Sequence, residues 1–202
     1  MQPPDQLVRC AWALGTPEYV TYHDTEWGRA LHGDREMFER VSLEAFQSGL
    51  SWITILRKRE AFRSAFHGFH PDAVARFGET DVERLLQDAG IVRNRAKIEA
   101  TVQNAQAVLD LDGGFSELVW TFAPDGDRPA PATLAEVPAV TPESKALAKA
   151  LKQRGFRFVG PTTAYALMQA TGMVNDHIAD CHVRAVSGPA ARTPGERAAP
   201  RT

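Results

Sequence analysis

Two cysteines and two histidines, set near opposite ends of the chain, are the residues best suited to chemistry. Twelve residues separate Cys10 from His23. His177 stands four before Cys181, a spacing that puts two side chains on one face of a helix. Two thiolates and two imidazoles complete a closed tetrahedral Zn²⁺ shell with no position left for water. Such a site is structural and would tie the first segment of the fold to its last helix. The same residues are compatible with a Cys10–Cys181 disulfide, or with two unrelated buried thiols. No signal peptide is visible at the N-terminus, which points to a reducing compartment and disfavours the disulfide.

A second signal lies between Phe158 and Val183. An apolar pair, a glycine turn and a good helix resemble the second half of a helix–hairpin–helix. In that motif, backbone N–H groups at a helix N-terminus bind a DNA phosphate. Val159, Gly160, Thr163 and Ala164 fit the pattern, while Phe158 occupies the place of its first glycine. A helix–turn–helix corner with no ligand is the plainer reading of the same residues.

The elements that must hold these groups read as helices. Apolar residues recur at a helical period over Glu36 to Leu50 (Met37, Phe38, Val41, Phe46, Leu50) and over Trp52 to His67 (Ile53, Leu56, Phe62, Phe66). Further helices are expected over Asp72 to Phe77, Asp81 to Ala89 with Thr80 as N-cap, Arg95 to Leu111, and Phe115 to Phe122. Asp125 to Pro138 is proline-rich and reads as a loop between two lobes. Pro142 to Arg154 follows as a helix, with Thr141 as N-cap, Pro142 at its first position and Gly155 past its end. Strand alternation and internal repeats are not evident, so the expected fold class is all-α.

At 202 residues the chain can bury a substantial core, as one domain or as two small helical lobes sharing a cleft. Hydrophobic residues make up 44% and charged ones 24%, ordinary for a globular chain, and no apolar run approaches a membrane span. A formal net charge of −2 means that any role with nucleic acid must rest on a local basic patch. Residues from about Ser187 to Thr202 are rich in Pro, Ala and Arg and read as a disordered tail.

Four stretches carry a more specific likeness: Cys10 to Gly28, Leu43 to Glu60, Leu85 to Ile98 and Leu151 to His177. In order and spacing they resemble the 3-methyladenine DNA glycosylase I family. The resemblance covers roughly residues 7 to 184 as one glycosylase domain of two helical lobes, leaving 185 to 202 outside. It implies an all-α fold of the helix–hairpin–helix glycosylase superfamily. It also implies a monofunctional cytoplasmic enzyme, nucleoid-associated when bound to DNA. Such an enzyme hydrolyses the N-glycosidic bond of 3-methyladenine in alkylated double-stranded DNA and leaves an abasic site, with no obligate protein partner and no membrane. In this family one zinc ion joins the chain ends through residues matching Cys10, His23, His177 and Cys181.

N3-methylation makes the purine cationic and already a good leaving group, so the pocket's task is to hold a flipped, flat, charged ring. By the resemblance, Tyr22 and Trp52 are the base-contacting aromatics, with Trp12, Tyr19 and Trp27 as pocket wall or core, and Glu44 is the carboxylate that hydrogen-bonds the base edge. Taken alone, Glu44 could face solvent at a helix boundary and the aromatics could be core packing. Gly160 and Thr163 of the hairpin are expected at a phosphate. The Gln47–Ser48–Gly49–Leu50 turn is expected to press into the duplex, with Leu50 as the wedge. Thr162 stands where bifunctional members use a Schiff-base lysine, which argues against lyase activity. Asn175 stands where many members carry an aspartate, with Asp176 one place off and expected to face elsewhere, so water activation has no clear owner.

Three basic runs are candidates for the DNA backbone: Arg57, Lys58 and Arg59; Arg93, Arg95 and Lys97; and Lys149, Lys152, Arg154 and Arg157. Solvated helix faces are the commoner meaning of such runs. A catalytically silent damage-binding module with the same fold, or a zinc-stabilised helical protein unrelated to DNA, are the competing readings.

Overall fold

The computed structural model describes residues 6–126 and 128–189. Regular structure among these residues is helical throughout, without strands. None of the helices is long and apolar enough to cross a membrane.

The centre of the fold is helix α2 (Asp34–Gln47), in which every residue from Met37 to Phe46 is buried. It packs against α3 (Trp52–Ala65), α6 (Arg95–Leu109), α7 (Phe115–Trp120) and α9 (Pro161–Ala170). A run of phenylalanines fills the space between: Phe46 meets Phe62 with ring centroids 4.6 Å apart, and Phe66 stacks on Phe69 at 5.4 Å. Burying each such side chain contributes roughly 1.5–3 kcal/mol, so this cluster rather than helix propensity sets the packing. The short α4 (Pro71–Val74) and α5 (Glu79–Gln87) lie on α6.

Helix ends differ from the sequence expectations where local capping decides them. α2 begins two residues earlier than its apolar pattern and stops at Gln47, and α3 stops at Ala65. The cap of α5 is Gly78, not Thr80: the Asp81 carboxylate accepts the Gly78 N–H at 3.1 Å. The expected helix over Asp72 to Phe77 is a single turn, and α6 and α7 each end two residues early. Helix α8 (Pro142–Gln153) starts as expected, with Thr141 and Ser144 each accepting the other's backbone N–H.

Helix α1 (Pro17–Thr25) is capped by Thr16, whose hydroxyl accepts the Tyr19 N–H. That start places Tyr19, Tyr22 and His23 on one face. At the other end, α9 stops at Ala170, and the chain turns at Gly172 with φ of 72°. A Cβ there would stand 2.6 Å from the Arg29 carbonyl carbon. Leu31 N–H bonds the Thr171 carbonyl at 3.1 Å. The early and late parts of the chain therefore touch at backbone distance.

His177 and Cys181 do not lie on the last helix; both sit in the turns that follow α9. The first residues of the expected tail are instead held in the fold. Arg184–Val186 form a 3₁₀ turn, the Ser187 hydroxyl donates to the Val183 carbonyl at 2.9 Å, and Gly188 N–H donates to Gly28 at 2.7 Å. Residues 190 to 202 lie outside the described residues.

Candidate active site and metal centre

Cys10, His23, His177 and Cys181 converge and are all buried, with their ligand atoms within 4.8 Å of one another. The cysteines are free, so they form no disulfide. His177 Nδ1 stands 3.2 Å from His23 Nε2 and 3.4 Å from Cys181 Sγ. The outer nitrogens have acceptors: His177 Nε2 donates to the Trp27 carbonyl at 3.1 Å, and His23 Nδ1 donates to the Asp24 carboxylate at 2.8 Å. A carbonyl and a carboxylate can only accept, so the two inner nitrogens carry lone pairs. Burial pushes His177 down to about 4, which keeps it neutral. Two lone pairs and two sulfurs facing one another call for a cation, and the outer bonds fix the ring tautomers as in metal sites. Burial pushes the Cys10 thiol up to about 12, with Cys181 adding to it, so a cation is what would hold its thiolate.

Beside this cluster opens a cavity of about 470 Å³. Trp12, Tyr19, Tyr22, Trp27, Glu44 and Trp52, the six residues expected at the base, all line it. Tyr22 and Trp52 meet with centroids 5.5 Å apart, and Trp12 packs edge-on against Tyr19 and Trp27. Tyr19 Oη accepts the Ile53 N–H at 2.9 Å, fixing α1 against the start of α3.

Glu44 sits well inside α2, not at its boundary, and is 5% exposed. Its carboxylate has no hydrogen-bond donor among the described residues. Burial raises it to about 7, and the nearby Arg40 guanidinium limits the rise. A buried, unpartnered carboxylate on a cavity wall is a group waiting for a donor.

The opposite wall contains Tyr165, Ala166 and Gln169, which sequence reasoning missed, beside Thr162, singled out there only for lacking a lysine's amine. Thr162, Tyr165, Ala166 and Gln169 present one face of α9, at the spacing of a helical stripe, and Asp176 joins them. The expectation that Asp176 faces elsewhere is therefore corrected. It is Asn175 that turns away, donating from Nδ2 to the carbonyls of Arg184 and Ser187 at 2.9 Å. The proline-rich segment closes the mouth through Leu134, Val137 and Pro138, so it is pocket wall as well as connection. Arg40 was also missed; it is buried and donates to Tyr22 Oη at 2.9 Å.

Of the residues expected at DNA, Leu50 is 38% exposed at the tip of the α2–α3 turn. Gln47 closes that turn by donating to the Leu50 carbonyl at 2.7 Å, and Gly49 supplies a φ of 82°. Gly160 is the exposed N-cap of α9, while Thr163 is half-buried on the first turn. Phe158, in place of the expected glycine, adopts φ of 57°.

Apart from the exposed Arg93, the first two basic runs are engaged within the fold. Arg57 pairs with Glu18, Arg59 with Glu26, and Lys58 donates to the carbonyls of Ala89 and Gly90. Arg95 is held by Glu79, Glu83 and Glu99, and Lys97 is buried, donating to the carbonyls of Phe46 and Ser48 at 2.9 and 2.6 Å. The third run, around α8 and the turn before Gly160, makes no ion pair among the described residues.

The pattern of the methyladenine glycosylase family matches residues 12–185. The chain belongs to this family. Among its methyladenine glycosylase relatives, DNA-3-methyladenine glycosylase 1 of Escherichia coli strain K12 is 49% identical over 179 residues, 87% of this chain and 96% of the relative. A crystal structure of 3-methyladenine DNA glycosylase I superposes with a TM-score of 0.83 at 49% identity, covering 87% of this chain and 98% of that one. The glycosylase I of Staphylococcus aureus, solved to show the structural basis of 3-methyladenine recognition, gives a TM-score of 0.83 at 35% identity, covering 87% of this chain and 96% of that one.

Proposed function

We infer that this chain is a DNA-3-methyladenine glycosylase: it hydrolyses the N-glycosidic bond of 3-methyladenine in alkylated duplex DNA, releases the base and leaves an abasic site. The observation that carries the reading is Glu44, a buried carboxylate without a hydrogen-bond partner, on the wall of an aromatic cavity. A methylated purine brings what that wall lacks, a positive ring with exocyclic amine protons. Tyr22 and Trp52 offer π faces, each worth roughly 0.5–2 kcal/mol to a cation. Glu44 accepts the amine edge and favours the charged form.

Arg40 donates to Tyr22 Oη, which leaves the Tyr22 hydroxyl proton free for a ring nitrogen of the base. At the proposed helix–hairpin–helix, backbone groups at Gly160 and Thr163 meet a phosphate, and Lys149, Lys152, Arg154 and Arg157 supply the positive field around it. Leu50 fills the gap left in the duplex by the extruded base. Thr162 cannot form a Schiff base, so the reaction stops at the abasic site. Zn²⁺ is the ion that suits two thiolates and two neutral imidazoles; bound there it neutralises the thiolates and closes the fold, with no part in bond breaking. Residues 7 to 184 act as one domain in this reading, in the cytoplasm and at the nucleoid when DNA is bound.

Release of 3-methyladenine from methylated duplex DNA tests the reading. The wild-type chain should release the base, Glu44→Gln should lose most of the rate, and Trp52→Ala should weaken free-base binding by about 3–30-fold. Undiminished release by both variants would remove the site assignment. No release by the wild-type chain would favour a silent damage-binding module.

A further inference from the structure

Glu44 serves the base, yet the cavity holds a second buried carboxylate, Asp176, on the facing wall. Its Oδ2 accepts two bonds, from Tyr165 Oη at 2.5 Å and from Gln169 Nε2 at 2.9 Å. Tyr165 Oη in turn accepts from Arg128 at 3.0 Å, so a positive charge backs the pair. Among the described residues Oδ1 takes no donor. The backbone at this point is fixed on both sides: Asn175 is bonded to Arg184 and Ser187, and His177 belongs to the Cys/His cluster. One oxygen is thus anchored and the other offered from a rigid position.

The place of Asp176 follows from the shape of a nucleotide, and it rests on the function proposed above. With a phosphate at the N-terminus of α9 and the base edge at Glu44, the sugar must cross the α9 face that carries Thr162, Tyr165, Ala166 and Gln169. Asp176 belongs to that same wall.

We propose that Asp176 is the catalytic carboxylate on the sugar side of the pocket, holding the attacking water through Oδ1 and countering the charge that develops at C1′. As the C1′–N9 bond breaks, its electron pair goes to N9 and neutralises the purine, so the positive charge moves onto the sugar. A fixed anion beside C1′ favours that redistribution. The water oxygen then bonds to C1′, and its proton passes to solvent water. Charge and atoms balance as methylated nucleotide plus water giving neutral base, abasic sugar and a proton.

Single-turnover release of 3-methyladenine from methylated duplex, set beside titration with free 3-methyladenine, separates this role from a structural one. Asp176→Asn keeps the shape and should lower the single-turnover rate at least 30-fold while free-base affinity stays within twofold of wild type. Asp176→Glu should recover part of the rate. A rate close to wild type in Asp176→Asn overturns the proposal, and so does a parallel loss of free-base binding, which would mark Asp176 as a structural anchor. If the wild-type chain itself releases no base, the underlying function fails and takes this assignment with it; an active wild type beside an equally active Asp176→Asn sinks this assignment alone.

Discussion

Arg40 and Tyr22 form a buried pair beneath the pocket: the guanidinium donates to the phenol oxygen at 2.9 Å and lies 5.6 Å from the centre of its ring. Arg40 also precedes Glu44 by one helical turn, on the same face of α2. A fixed cation therefore stands behind both of the groups proposed to read the base. Its charge opposes the burial that raises Glu44, and so keeps more of that carboxylate ionised near neutrality.

Replacing Arg40 by Met removes that opposition. The Glu44 midpoint should move upward from about 7, and the rising limb of the excision rate against pH should follow it to higher pH by about one unit. The pH–rate profile of Arg40→Met against wild type measures this. An unmoved limb would mean that Arg40 acts on Tyr22 alone.

Glu44 itself makes a prediction about stability, opposite in direction to its effect on activity. Its folded value, about 7, lies above the ordinary 4.5, so below pH 4.5 both folded and unfolded states hold the proton and nothing is lost. Between 4.5 and 7 the unfolded chain releases the proton first, and folding weakens as pH rises. Above 7 the full difference, about 3 kcal/mol, is in place. Glu44→Gln should therefore be more stable than wild type at pH 8.5, by up to that amount, and equal to it near pH 4. Urea denaturation at the two pH values checks the sign.

The Cys/His cluster and the pocket share their supports. Tyr22 is followed directly by His23, and Asp176 directly by His177, so each histidine of the cluster adjoins a residue of one pocket wall. Removing the Zn²⁺ proposed for that cluster should then disturb both walls at once. Cys181→Ala, or treatment with a strong chelator, should lower Tm by about 10 °C, the scale expected for losing several kcal/mol in a chain of this size. Affinity for free 3-methyladenine should fall with it. Calorimetry paired with base titration tests the linkage, and retained affinity in the metal-free chain would refute it.

The quartet Cys10, His23, His177 and Cys181 was legible in the sequence from residue type and spacing, whereas the aromatic set around Glu44 was legible only through the family resemblance, since residue type alone also fits a solvent-facing glutamate and core aromatics. Asp176 was not legible, since the direction of a side chain just past a helix depends on the turn at Gly172 and on the bonds of Asn175. Nor was the state of the basic runs: Arg59 and Arg95 look free along the chain but meet carboxylates distant in sequence, Glu26 just past α1 and Glu79 on α5. Helix ends moved for the same kind of reason, with Asp81 bonding back to Gly78 where Thr80 had seemed the cap.

Lys97, which sequence spacing grouped with DNA contacts, instead supports the turn that carries Leu50. The residue is 8% exposed, and its ammonium donates to the Phe46 carbonyl at the end of α2 and to that of Ser48, its C-cap. Charge-assisted bonds to otherwise unpaired helix carbonyls are worth about 1.5–3 kcal/mol. Lys97→Met keeps the apolar stem and removes only the two donors, so it should lower Tm by about 4–10 °C. Of the turn Gln47 to Leu50, Gln47 alone lines the cavity, so free 3-methyladenine should bind within a few-fold of wild type. Excision from duplex DNA should fall further, by tenfold or more, because the turn proposed to enter the duplex is no longer held. Leu50→Ala should share the duplex defect without the thermal one. Equal loss of free-base binding and duplex excision in Lys97→Met would show that the lysine serves the core as a whole and not the turn.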